Sequence, residues 1–150
     1  MNCKRLFSTI FLVTIVSFFF AGCATGPTGP RFTQIPIPSE KSVIYFYAIE
    51  PSGATFGNKF AIHIDGQKIA DLHEPNYIAY IATPGKHQIK IDMIPKGPFI
   101  FAADPWQDNS VTMDCETGKA QYVHVGVRFG MEWVRNDTGE SEITQCRLQN

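Results

Sequence analysis

Phe60-Ala61-Ile62-His63-Ile64-Asp65-Gly66-Gln67-Lys68-Ile69-Ala70-Asp71-Leu72 is the stretch on which the fold turns. Its first half alternates with period two, so Phe60, Ile62 and Ile64 share one face of a strand. Asp65-Gly66 then supplies two residues that tolerate positive φ, the chemistry of a two-residue hairpin turn. The chain therefore goes out as one strand and returns as the next, with His63 opposite Lys68. On the return, Ile69 and Leu72 differ in parity, so this strand needs a bulge or points one of them outward.

Working outward, the same language continues. Residues 43–49 (Val-Ile-Tyr-Phe-Tyr-Ala-Ile) are β-branched or aromatic on both parities, which predicts a central strand covered on both faces. Residues 77–82 form the next strand, and Thr83-Pro84-Gly85-Lys86 fits a type II turn. Residues 87–93 alternate with Ile89, Ile91 and Met93 inward and Gln88, Lys90 and Asp92 outward. Val111, Met113 and Cys115 share a face, and Thr117-Gly118-Lys119 turns the chain. Residues 120–129 put Val123, Val125, Val127 and Phe129 inward, leaving Tyr122, His124 and Arg128 on a solvent-wetted face. Residues 131–135 and 142–148 read as the last strands. No apolar stripe of period 3.6 runs for about ten residues. About eight or nine short antiparallel strands spaced by turns predict an all-β chain folded as a single β-sandwich.

Composition agrees. The chain has 150 residues, one domain's worth, with 44% hydrophobic and 13% aromatic side chains to build a core. Lys+Arg number 13 against 14 Asp+Glu, which excludes a strongly basic nucleic-acid binder and an acidic disordered chain.

The N-terminus reads as an address. Lys4 and Arg5 precede 16 uncharged residues, 6–21. That run is shorter than the roughly 20 residues of a membrane-spanning helix and suits the apolar region of a secretion signal. Phe20-Ala21-Gly22-Cys23 resembles the lipobox of bacterial lipoproteins, with Phe20 where the pattern has Leu. The resemblance implies cleavage before Cys23 and attachment of a diacylglyceryl group to its thiol, so that the mature protein carries two or three acyl chains, palmitate among them. Residues 1–22 are then a lipoprotein signal peptide. Their removal takes Lys4 and Arg5 and leaves 128 residues with 11 basic and 14 acidic side chains. Such a body has no general attraction to anionic lipid, so attachment would rest on acyl chains, of which two or more hold stably. Ala24, in place of Asp after the lipidated cysteine, implies the outer membrane in a two-membrane bacterium.

Residues 23–39 carry Pro27, Pro30, Pro36 and Pro38 with Gly26 and Gly29, and have no hydrophobic period. They are expected to form an extended tether of about 3.1 Å per residue, with the sandwich occupying residues 40–150. The alternative is that Ile35 and Ile37 pack as an edge strand. Residues 95–109 form a long connection with Phe99, Phe101 and Trp106, a candidate binding loop for an envelope protein or glycan, or else a cap on the open end of the sandwich.

Four pieces together resemble a known family. They are residues 43–48, the Ile62-to-Leu72 hairpin, Tyr77 through Thr83-Pro84-Gly85-Lys86-His87, and Glu116-Thr117-Gly118-Lys119-Ala120-Gln121-Tyr122-Val123. The chain from about Val43 to Leu148 is similar to the family called domain of unknown function 2846, related in pattern to PEGA-type surface domains. The resemblance implies an immunoglobulin-like β-sandwich, often on a lipoprotein, and implies no activity.

Chemistry-bearing residues do not assemble in the sequence. His63, Asp65 and His73 suggest zinc, but in this hairpin His73 lies about 16 Å along the strand from the position opposite His63, whereas zinc holds ligands at about 2 Å. There is no Gly-x-Ser-x-Gly elbow and no phosphate-cradling glycine loop before a helix. Cys115 has apolar neighbours on its face, which disfavours a thiolate. No catalytic residue, metal site or cofactor is expected. Of the four cysteines, Cys3 leaves with the signal and Cys23 is acylated. Cys115 and Cys146 remain for a disulfide in an oxidising compartment. The expectation is a lipid-anchored envelope protein with a non-catalytic binding or structural role. The rival is a periplasmic hydrolase or metal-dependent enzyme, which would need polar groups converging in a concave pocket.

Overall fold

The computed structural model describes residues 29–49, 59–94, 110–126, 130–134 and 136–149. Among the described residues, nine strands and one helix follow in the order β1 (Ser42–Tyr47), β2 (Lys59–Ile64), β3 (Gln67–His73), β4 (Asn76–Ala82), β5 (Gly85–Ile94), β6 (Ser110–Cys115), β7 (Ala120–Gly126), β8 (Gly130–Val134), α1 (Asn136–Ile143) and β9 (Arg147–Leu148). One sheet has the order β8-β7-β1-β4-β9 and the other β3-β2-β5-β6.

The Asp65-Gly66 hairpin forms as its sequence demands. Both turn residues have positive φ, 51° and 80°, and His63 pairs with Lys68. Ile62 pairs with Ala70, so Ile69 is the extra residue of a bulge that reconciles it with Leu72. β1 is the central strand expected, with every residue fully buried. The Pro84-Gly85 corner, by contrast, makes no hairpin. It carries the chain from β4 in the first sheet to β5 in the second.

The sheets share a core. Ile44, Phe46, Val123 and Val125 of the first meet Phe60, Ile62, Leu72, Ile89, Ile91 and Met113 of the second. Period-two alternation in β5 and β6 delivers Ile89, Ile91 and Met113, as the sequence predicts.

Several expectations are corrected. Pairing is not wholly antiparallel, since β1 runs parallel to β7 and β4 to β9. The turn at Thr117-Gly118 crosses between sheets and is tied to the start of β1 by Gly118 N–H to Lys41 O (2.8 Å) and Val43 N–H to Lys119 O (3.0 Å), so β7 enters beside β1 and runs with it. The strand expected over residues 142–148 is instead the end of α1 followed by the two residues of β9. The outer face of the first sheet is not wet either. Val43, Tyr45, Tyr47, Tyr77 and Tyr122 form a second buried cluster there with Ile143 and Cys146.

Two elements cover that face. α1 presents Ile143, fully buried, and Gly139, whose missing Cβ would fall 2.3 Å from Tyr122 Cβ. Glycine here permits close approach of helix to sheet. The other cover is residues 29–39, expected to be a free tether. Phe32, Ile35 and Ile37 pack on the tyrosines, and Ile35 N–H donates to Tyr45 Oη at 2.9 Å. Leu148 N–H donates to Pro30 O at 2.9 Å, and Arg31 bridges Arg147 in antiparallel fashion. Gly29 lies so close to this rung that a Cβ would sit 1.8 Å from Leu148 O. Three apolar side chains spaced among prolines, together with these hydrogen bonds, dock the segment.

Candidate functional site

β2, β5 and β6 expose one polar row on the outer face of the second sheet. Inward Ile89 and Ile91 force Gln88, Lys90 and Asp92 outward, and cross-strand register sets His63 beside Lys90 and Lys90 beside Ser110. With Gly66 these residues line a shallow cleft of about 400 Å³. Lys90 Nζ lies 2.9 Å from Asp92 Oδ1, and Asp92 Oδ2 lies 3.4 Å from His63 Nδ1. The acid thus lies between the lysine and the histidine. His63 and Ser110 stand on strands two spacings apart, about 10 Å, with Lys90 between them.

A second polar cluster lies at the turn end of the molecule. His87 is nearly buried, with Nδ1 2.6 Å from Asp65 Oδ2 and Nε2 2.8 Å from Thr83 O. Asp65 and the Thr83 carbonyl are both acceptors, an arrangement that favours the imidazolium, with a proton on each ring nitrogen. Asp65 Oδ1 also accepts from Gln88 N–H at 2.9 Å. The hydrogen bond to Asp65 and then that to Thr83 hold the His87 pKa above its ordinary value, and the His87 contact holds that of Asp65 below its own. His87 thereby joins the β2–β3 hairpin to the corner between sheets. The sequence signal was the turn Asp65, read only for its backbone.

The tyrosine layer is ordered by its hydroxyls. Tyr47 Oη donates to Glu142 Oε2 at 2.5 Å, and Tyr122 Oη to Glu140 Oε1 at 3.5 Å, so two α1 carboxylates reach the sheet. Burial first, then the Glu140 charge, raises the Tyr122 pKa. Tyr45 stacks on Tyr122 (5.3 Å between ring centres), and Tyr47 on His124 (5.2 Å). His124, expected on a wet face, is part of this stack.

A comparison with family models, curated proteins and solved structures gives no match.

Of the residues singled out in the sequence, Cys23, Phe99, Phe101 and Trp106 lie outside the described residues. Cys115 and Cys146 are both described, and both are free, buried thiols, which corrects the expected disulfide. Cys115 belongs to the core between the sheets and Cys146 to the tyrosine layer on the far side of the first sheet. Cys115 is within hydrogen-bonding reach of Ser42 at the start of β1, while Cys146 Sγ donates to Ala48 O (3.4 Å) just past its end. Six residues of strand separate those points by about 20 Å, against the roughly 7 Å limit between Cα atoms for a bridge. Burial pushes the Cys146 thiol pKa up to about 12, with the Glu142 charge adding to it, and burial also raises that of Cys115. Neither is a nucleophile at neutral pH. Among the described residues no group of three or more His, Cys, Asp or Glu side chains converges on a metal position.

Proposed function

We propose that this chain is a lipid-anchored cell-envelope lipoprotein, facing the periplasm from the outer membrane, whose domain has a non-catalytic binding or structural role. The observation that carries the reading is the ordered N-terminal series: Lys4-Arg5, the uncharged run, Ala21-Gly22 and Cys23. Its partner at the membrane is lipid, through acylated Cys23, and beyond it an envelope protein or glycan. The two face-packed sheets are consistent with an immunoglobulin-like β-sandwich, and the turn motifs at Asp65-Gly66 and Thr117-Gly118 with domain of unknown function 2846. The binding surface is proposed on the loop carrying Phe99, Phe101 and Trp106, between Ile94 and Ser110.

The membrane half of the proposal is tested by fractionating cells that express Cys23→Ser. The expected result is a soluble protein or an accumulated precursor, and an unchanged membrane fraction contradicts it. The binding half is tested by crosslinking in intact cells and pull-down, with Trp106→Ala expected to lose a captured partner while keeping the melting temperature.

A further inference from the structure

Arg31 and Arg147 stand directly opposite one another in an antiparallel bridge, so their side chains leave the same face of that rung. Their sequence neighbours fix which face it is. Phe32 and Leu148 pack inward on the tyrosine layer, so Arg31 and Arg147 point away from it. Arg31 is exposed and Arg147 partly so. Like charges directly opposite are unfavourable in a sheet. Among the described residues the ion pairs join His63, Lys68, His87 and Lys90 to carboxylates, and neither arginine takes part in one. The bond from Arg147 Nη1 to Gly29 O (3.4 Å) is to a neutral carbonyl, so among the described residues no carboxylate neutralises this charge.

The arginine pair also sits where the chain enters the domain. Arg31 is eight residues after Cys23, and eight residues span at most about 29 Å however they are arranged. With Cys23 held in a bilayer, the Arg31–Arg147 rung cannot be further than that from the lipid. Guanidinium groups pair with phosphate in a bidentate fashion, and two on one face can share or flank a phosphate.

Resting on the lipid anchor proposed above, we infer that Arg31 and Arg147 form a docking site for the phosphate groups of anionic phospholipid, and that this contact holds the domain down on the membrane by its entry edge. The body as a whole is mildly acidic, so the attraction is local to this edge and sets orientation.

The test uses the mature, membrane-extracted protein in vesicles of phosphatidylcholine alone or of phosphatidylcholine and phosphatidylglycerol in equal parts. Amide exchange over residues 29–32 and 146–149 should be several-fold slower in the anionic vesicles. High salt should erase the difference, since it screens charge. Arg31→Gln with Arg147→Gln should remove it, and Arg31→Lys with Arg147→Lys should retain most of it. Salt on the unaltered protein decides the matter if the glutamine variant fails to fold. Equal exchange in both vesicles with the acyl chains present overturns the inference alone. Intact mass of the same sample without acyl chains overturns the anchor and the inference with it.

Discussion

His87 shows how one side chain can stabilise two turns at once. Its ring donates to Asp65 of the hairpin and to Thr83 of the corner between sheets, so the charged form is the one the fold selects. Its folded pKa lies above its unfolded value, so this stabilisation is complete below about 6.5 and is lost as pH climbs through the raised folded value. Asp65 behaves oppositely. Its folded pKa is lowered, so its contribution is present above its ordinary value of 3.8 and is lost as pH falls through the lowered one. The pair therefore stabilises between those two folded values. Proton-monitored NMR of the His87 ring should show a midpoint above 6.5, moving down in Asp65→Asn. A midpoint at or below 6.5 in the unaltered protein would contradict the clamp. The two thiols carry a prediction of the same scale. Without reductant, an alkylating reagent should label neither Cys115 nor Cys146 in the folded protein and both after denaturation, because they are buried and unbridged.

Among the elements, the strands were written plainly and the cover over the first sheet was not. The Asp65-Gly66 hairpin, its bulge at Ile69 and the inward faces of β5, β6 and β7 follow from period-two alternation and turn chemistry. α1 has the sequence Asn-Asp-Thr-Gly-Glu-Ser-Glu-Ile, with one large apolar residue, so no stripe announces it. At eight residues it is also shorter than the roughly 12–15 that stand alone in water. Packing of Ile143, Gly139 against Tyr122 and the carboxylate bonds to Tyr47 and Tyr122 hold it in place. The legible clue was that Tyr45, Tyr47 and Tyr122 share one face, too much aromatic surface to leave uncovered. Ile143→Ala should cost about 2–5 kcal/mol in denaturant unfolding, as for a truncated core side chain. Gly139→Ala gains under about 1 kcal/mol of helix propensity but must push α1 off Tyr122, an overpacking cost of about 1–3 kcal/mol. It should therefore destabilise, and a higher melting temperature would contradict the close approach.

On the scale of the whole molecule, residues 29–39 change what the anchor means. Read as a tether, they would hold the domain a few tens of ångströms from the bilayer. Docked on the tyrosines through Phe32, Ile35 and Ile37, they bring the domain within eight residues of Cys23 at Arg31. The sequence offered this only as the alternative that Ile35 and Ile37 pack, because prolines remove the alternation that marks a strand and three separated apolar residues carry no period. The site was less legible than the fold for a related reason. The polar row of His63, Lys90, Asp92 and Ser110 is assembled by register across three strands, which no linear spacing encodes. The proposed role rests on membrane attachment more than on any of these clusters, and attachment is decided at one atom, Cys23 Sγ. The most direct measurement is the intact mass of the protein extracted from membranes. The account predicts the mass of residues 23–150 plus two or three acyl chains. An unmodified chain, or one beginning at any other residue, would contradict it.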